Sequence, residues 1–341
     1  MNVADYRILR TGAGFMASED RGWIAVAGQD RADFLQGLLS NDVVALSPGN
    51  GCYATCLTPQ GRMTADMYVF AQRERLLLDV DRGATAGLRE RLDDLVFTED
   101  VRIEDLTAGS AAFGVHGPRA REVAAALAGA PAGALAFGGH HAFETGTAAG
   151  WVGRTDDLGI EGYRVVVDRP AREDLQRALT AAGAVAVERA AGEAVRVESG
   201  RPAFPIDMDR DTIPLEAGIA DRAISFDKGC YVGQEVIIRI LHRGQGRIAR
   251  RLVGLTLGTL DGAEPAPPSR GAAIFSGDDE VGRVTSAVRS PALDGIIALG
   301  YVRRDLAEAG GAAVEVSSGT RRAPAVVTSL PFVPPSGGAM G

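Results

Sequence analysis

A single cysteine stands in the segment Lys228-Gly229-Cys230-Tyr231-Val232-Gly233-Gln234-Glu235. Behind it Val236, Ile237, Ile240 and Leu241 recur at helical spacing, which predicts a helix beginning near Tyr231 or Val232. At such a helix start the free amides and the macrodipole favour a thiolate, and Lys228 adds a positive charge. Cys230 and Lys228 are therefore candidate catalytic residues. Gly229 and Gly233 lack side chains and permit close approach by a ligand or a neighbouring segment. On residue chemistry alone, a reactive thiol and a buried structural cysteine both remain open.

The other chemistry-bearing residues read more plainly. Cys52 and Cys56 are four apart, a spacing that suits metal ligation in a loop or helix. Tyr53, Leu57 and the turn at Pro59-Gln60-Gly61 instead predict a strand, which puts both thiols on one face as small buried hydrophobes. The histidines, His116, His140, His141 and His242, show neither an HExxH pattern nor a two-His-carboxylate spacing, so no metal site is predicted. Residues 12–17 read GAGFMA, a GxGxxA spacing, but no buried strand precedes them and SEDRGW breaks the helix that a dinucleotide fold needs. A turn is expected there.

The elements around these residues alternate in type. Residues 21–47 open as a strand, turn at Gly28-Gln29-Asp30 and continue as a helix through Phe34, Leu35, Leu38 and Leu39, with Asp30 a candidate N-cap. CYATCLTPQGRMTADMYVF and RLLLDVD alternate as half-buried hairpin strands do. From Ala108 to Gly150 the composition shifts to Ala and Gly, with a strand and then a helix after Pro118. WVGRTDDLGIEGYRVVVD reads as a hairpin, followed by a helix with Pro170 at its start and Gly183 near its end. GEAVRVESGRPAFPIDMDRDTIPLEAG is Pro- and Asp-rich and predicts an ordered connection rather than a plain helix. Beyond Arg250, short strand-like runs bounded by Gly, Pro and Asp predict a small all-β unit.

Composition bounds the function. The chain has 341 residues, 46% hydrophobic and 23% charged, enough for two or three packing units. Lys and Arg total 36 against 44 Asp and Glu, a formal charge of −8, which disfavours sequence-independent nucleic-acid binding. Three cysteines give no disulfide framework and predict a reducing compartment, the cytoplasm. No apolar run approaches the roughly 18 residues of a membrane span, so neither export nor membrane contact is expected.

KGCYVGQE resembles the signature of the YgfZ-type folate-binding proteins, relatives of the glycine-cleavage T-protein (aminomethyltransferase) family. Residues 28–43, 115–120, 154–167 and 196–218 are similar to that family's successive segments, and 251–255, 281–304 and 330–332 to its C-terminal barrel. The resemblance implies an α+β, three-lobed T-protein-like fold with a central folate channel and a C-terminal small β-barrel. The expected units are a folate-binding core of 1–107 with 186–246, a second α+β lobe of 108–185, a barrel of 247–335 and a tail of 336–341.

It also implies tetrahydrofolate or a one-carbon derivative as ligand. The implied role is accessory, in assembling or maintaining iron-sulfur clusters of client enzymes, including some that modify transfer RNA, with Cys230 as functional thiol. Two alternatives keep the same pocket: a folate-dependent aminomethyltransferase-like enzyme, and a folate-sensing module without chemistry. The aminomethyltransferase branch carries two adjacent acidic residues in the strand similar to GRMTADMYV, the first expected to be catalytic; here the pair reads Ala65-Asp66. Asp66 is then the remaining catalytic candidate. For the ligand itself, Glu198 matches the family's pterin-binding acid, with Asn41, Asp42, Tyr231 and Arg239 as further binding candidates.

Overall fold

The computed structural model describes residues 1–145, 148–242, 247–260, 262, 266–319 and 321–334. Three strand systems organise it. A five-stranded antiparallel sheet has the order Gly51–Leu57, Met63–Ala71, Arg75–Asp81, Arg21–Ala27, Arg102–Asp105. A six-stranded sheet runs Val185–Ala186, Gly14–Ala17, Ser110–His116, Gly162–Asp168, Ala148–Thr155, His140–Thr145, and only its first pair is parallel. The third system is a closed barrel of six strands between Arg250 and Thr328, in which Arg321–Thr328 pairs back onto Arg250–Leu257. This is the expected T-protein-like α+β body with its small C-terminal barrel.

Alternation along Met63–Ala71 decides how the two open sheets meet. Ala65, Met67, Val69 and Ala71 enter a core with Ile24, Leu35 and Leu78. Tyr68 and Phe70 belong to a second core with Trp23 of the same sheet and Trp151 and Val166 of the other. The ring centroids of Phe70 and Trp151 lie 4.8 Å apart, and Trp23 meets Trp151 edge-on at 5.6 Å. A period-two strand with apolar residues on one side and aromatics with a carboxylate on the other thus becomes the wall between a core and a cavity.

Several local expectations are corrected. Residues 12–17 follow a helix, Val3–Thr11, capped by Asn2, whose side chain accepts from the Ala4 amide at 2.9 Å. Gly12 closes that helix and Gly14–Ala17 is a strand, the reverse of the strand-to-helix order that binds dinucleotides. That strand pairs with Ser110–His116, so the first residues of the chain join the second sheet rather than the first lobe. Asp30 precedes the Arg31–Gln36 helix without capping it; its carboxylate accepts from the Asp100 amide at 2.7 Å instead. The connection expected from GEAVRVESG onward begins later: Arg189–Glu198 is a helix, and the irregular stretch lies behind it.

The helix after the cysteine motif is Gln234–His242, later than Tyr231 or Val232. Gly233 has φ 87°, a left-handed value that no helix admits, and it delays the start. A side chain there would also meet the Thr58 carbonyl at 2.5 Å. Among the described residues, no helix is long and apolar enough to cross a membrane.

Candidate functional site

Between the two open sheets lies a cavity of about 460 Å³, lined by the Tyr68 face of Met63–Ala71, one face of Arg189–Glu198 and residues 201–206. Tyr53 and Tyr68 are directly paired across their hairpin, and Asp66 pairs with Thr55, so the two tyrosines and the carboxylate share one face. The Tyr53 hydroxyl donates to Asp66 Oδ2 at 2.6 Å. Asp66 Oδ1 is buried and has no hydrogen-bond partner among the described residues. Burial pushes the Asp66 carboxyl above the ordinary range, against the pull of Arg21 and the Tyr53 hydroxyl. Burial also raises both tyrosines well above their usual pKa, so they stay protonated donors.

Guanidiniums build the rest of the wall. Asp156 accepts from Tyr68 at 2.7 Å and is clamped by Arg201 and Arg222. The Arg222 guanidinium lies 4.0 Å from the Tyr53 ring centroid, a cation–π contact that holds the phenol in place. Arg164 spans Asp79 at 3.1 Å, Ser18 Oγ at 2.5 Å and Asp157 at 2.5 Å. Burial would raise Asp157, but Arg164 and Arg21 outweigh it and hold that carboxyl below its usual value. His116, from the end of Ser110–His116, also lines the cavity; burial drops its pKa to about 4, so it is a neutral imidazole.

Only Asp66, of the residues expected from sequence, belongs to this cavity. The same pleat explains Ala65: it points into the apolar core with Met67 and Val69, so the position facing the cavity is the one that kept its carboxylate. Glu198 is corrected. Its carboxylate is fully buried on the far side of its helix, taken by Tyr6, Arg10, Ser290 and the Ala292 amide, and does not line the cavity. Glu193, about 1.4 turns earlier, faces the cavity instead and is paired with Arg196 at 2.6 Å.

The cysteine segment lies elsewhere. Cys230 is exposed and does not line the cavity. Lys228 is not beside the thiol as a charge: its ammonium is buried and donates to the carbonyls of Gln36 at 2.7 Å, Leu39 at 2.6 Å and Asn41 at 2.9 Å. Those are all three donors a lysine has. Burial lowers Lys228 to about 8. Ser225 and Val232 add backbone bonds to Ser40 and Gly37, and the Tyr231 ring packs 5.1 Å from the Lys228 Nζ, so the loop is sewn to the body on both sides of Cys230. Cys230 therefore stands neither at the helix start nor beside a free lysine charge, and it is accessible.

Asn41 and Asp42 have local work. Asn41 Nδ2 donates to the Tyr53 and Arg222 carbonyls at 2.8 and 3.2 Å, and Asp42 accepts from Gln36 and the Ala45 amide. Arg239 is exposed on Gln234–His242, away from the cavity. Cys52 and Cys56 lie in the predicted strand, Cys56 buried and Cys52 partly so. Among the described residues no three His, Cys, Asp or Glu side chains gather into a metal site. Tyr53, Tyr68, Asp156, Arg164 and Arg222 were not singled out from sequence; the alternation of the first hairpin would have put Tyr53 and Tyr68 on Asp66's face.

Residues 2–228 match the GCVT N-terminal domain, and residues 250–334 match the glycine cleavage T-protein C-terminal barrel domain. An aminomethyltransferase of Rubrobacter xylanophilus is 31% identical over 350 residues, covering 99% of this chain and 89% of the relative. One of Rippkaea orientalis is 28% identical, covering 96% and 88%. A putative chloroplastic transferase of Arabidopsis thaliana is 29% identical over 85% of this chain and 65% of its own. The glycine cleavage system aminomethyltransferase T of Bartonella henselae has the same fold, with a TM-score of 0.84 at 24% identity over 97% of this chain and 89% of that one. Covered by both domains of that architecture, the chain belongs to the glycine cleavage T-protein family.

Proposed function

We propose that this chain is a YgfZ-type member of its family: a cytoplasmic protein that binds a reduced folate in the cavity beside Asp66. It serves the assembly or maintenance of iron-sulfur clusters in client enzymes, tRNA-modifying ones among them, and Cys230 is its functional thiol. One observation carries the reading. Cys230 is exposed, in a loop tied down on both sides, and stands apart from the cavity lining, which suits a thiol offered to another macromolecule rather than to the ligand.

The cavity fits a folate on its own chemistry. Its volume is within the roughly 300–1,000 Å³ of small-molecule sites. A pterin presents N–H groups, and Asp66 Oδ1 is an acceptor without a partner. Tyr53 and Tyr68 offer aromatic surface, and Arg201 and Arg222 share the one carboxylate of Asp156, which leaves a net positive charge for a glutamyl carboxylate. A bound folate would supply a carrier for a one-carbon unit.

Two measurements test this. Titration calorimetry should show tetrahydrofolate binding to the purified protein, and a Cys230→Ser variant should fail to restore cluster-dependent enzyme activity in cells lacking the gene. Full rescue by that variant would remove the thiol from the function.

A second reading, one-carbon transfer of the aminomethyltransferase kind, is favoured by the orientation of the Ala65-Asp66 pair. The carboxylate that is absent would have pointed into apolar core, and the one facing the cavity is present. Release of formaldehyde-level carbon from an amine donor and tetrahydrofolate, abolished in Asp66→Asn, would put this reading first.

A further inference from the structure

Arg196 lines the Asp66 cavity, yet its donors are all spent on the protein. Nε and Nη2 hold the two oxygens of Glu193 at 2.8 and 2.6 Å, Nη1 donates to the Arg201 carbonyl at 2.5 Å and to Asp207 Oδ2 at 2.6 Å, and Nη2 donates again to Ser286 Oγ at 2.8 Å. Those are the five donors of a guanidinium. Asp207 is equally full: Oδ2 also accepts from the Ala203 amide at 3.1 Å, and Oδ1 accepts from the hydroxyls of Thr285 at 2.5 Å and Ser286 at 2.7 Å. Arg196, Asp207 and Ser286 are buried, where a fully satisfied network is rigid and a missing member is costly.

The two hydroxyls come from the barrel. They belong to its strand Asp279–Ser290, in which Val284 pairs with Gly300 and Ser286 with Leu299, so Thr285 is the extra residue of a β-bulge. In a regular strand consecutive side chains point to opposite faces; the bulge is what lets both hydroxyls reach one carboxylate oxygen. Val284, on its flank, stays in the barrel core. At the other end the network stops at the cavity. Arg196 fixes the Glu193 carboxylate, and Arg196 with Asp207 pins the backbone at Arg201 and Ala203, where the wall of residues 201–206 begins.

We propose that Thr285, Ser286 and Asp207 are positioning residues for the cavity: the barrel sets Arg196, and through it the Glu193 carboxylate and the 201–206 wall, in the arrangement that receives the ligand. The proposal rests on the folate reading above and adds to it a part of the molecule that acts on the ligand from behind the wall. A binding group keeps its geometry when the groups behind it are themselves hydrogen-bonded, and here the last of those groups belong to another unit of the fold.

The test is titration calorimetry of tetrahydrofolate on the full chain. A Thr285→Val, Ser286→Ala double variant removes both barrel donors and should bind about tenfold more weakly, equivalent to about 1.4 kcal/mol. Thr285→Ser gives up a methyl group but keeps the hydroxyl, and should bind as the wild type does. In a Glu193→Gln background the double variant should add no further loss, because both changes act on one chain of contacts. A thermal melt checks that each variant is folded; should the double variant not fold, Thr285→Val alone should still bind more weakly than Thr285→Ser. Wild-type affinity in the folded barrel variants, or a loss that adds in full to that of Glu193→Gln, would overturn the barrel's role and leave the folate reading intact. No binding by the wild type would overturn the folate reading, and the barrel's role with it.

Discussion

Glu198 and Asp66 are both withdrawn from water, at 0% and 7% exposure, yet their surroundings are opposite. Glu198 accepts from the Tyr6 hydroxyl at 2.7 Å, from Arg10, from Ser290 Oγ at 2.5 Å and from the Ala292 amide at 3.4 Å. Those partners come from the first helix and the barrel, so one carboxylate ties three parts of the molecule together. Asp66 accepts from Tyr53, and its second oxygen has no partner among the described residues. A saturated buried carboxylate is a joint, whereas a half-satisfied one beside a cavity is a place kept for a ligand, because an unmet buried acceptor costs stability unless something occupies it.

The largest effect expected from this contrast is at the joint. Glu198→Ala removes the counter-charge of Arg10, one of whose terminal nitrogens is already unpartnered. Breaking a buried pair in this way costs roughly 3–5 kcal/mol. Chemical denaturation should show a loss of that order; a loss below about 1 kcal/mol would show that the joint is not a joint.

A comparable effect is expected from pH at two buried histidines, His116 in the cavity wall and His140 outside it. Burial lowers the pKa of His116 to about 4, and that of His140 likewise. As pH falls from about 6.5, the unfolded chain takes up protons that the folded chain refuses, so stability is lost between about 6.5 and 4. For the fully enclosed His116 the loss is up to about 3 kcal/mol. His116→Asn should flatten this part of the stability–pH curve, and an unchanged curve would mean that the imidazole is charged in the folded state.

Lys228 extends the contrast to the surface loop, where its three donors saturate three carbonyls. Lys228→Met leaves those carbonyls unmet and should cost roughly 1–3 kcal/mol. Hydrogen exchange across residues 225–232 should speed up, and Cys230 should remain alkylatable. Exchange confined to the wild-type rate would show that the lysine does not hold the loop.

The sequence made the strands legible because their chemistry is periodic: the hairpin around Pro59-Gln60-Gly61 and the barrel follow from alternation and turn residues. It left the site half legible. Asp66 is legible through the resemblance, as the acid that stands in the pair Ala65-Asp66, and strand alternation then puts it on the face of Tyr53 and Tyr68. Glu198 was misplaced because RVESG, beside proline and aspartate, does not reveal that its helix turns Arg196 and Glu193 to the cavity and Glu198 away. Lys228 was read as the neighbour of Cys230, since adjacency in sequence says nothing of carbonyls nearly two hundred residues earlier. Of the two uses open to Gly233, the close approach is that of a neighbouring segment, the Thr58 carbonyl, and its positive φ is what unhinges Cys230 from the helix start.

The smallest expected change in stability is at Asp66, and it is the one that separates the two carboxylates most sharply. Burial raises its pKa, so the folded chain holds this proton more tightly than the unfolded chain does. The wild type therefore loses stability relative to Asp66→Asn as pH rises from about 4 through the raised value, since above it a buried charge must be kept. At neutral pH the substitution should change stability by less than about 1 kcal/mol, in either direction, because it removes one hydrogen bond and one desolvated charge together. Its effect on the ligand should be much larger: the loss of a charged acceptor, worth about 1.5–3 kcal/mol, weakens tetrahydrofolate binding tenfold or more. If Asp66→Asn instead destabilised the protein as strongly as Glu198→Ala and left binding untouched, Asp66 would be a joint as well, and the cavity would have lost its reason for an unmet oxygen.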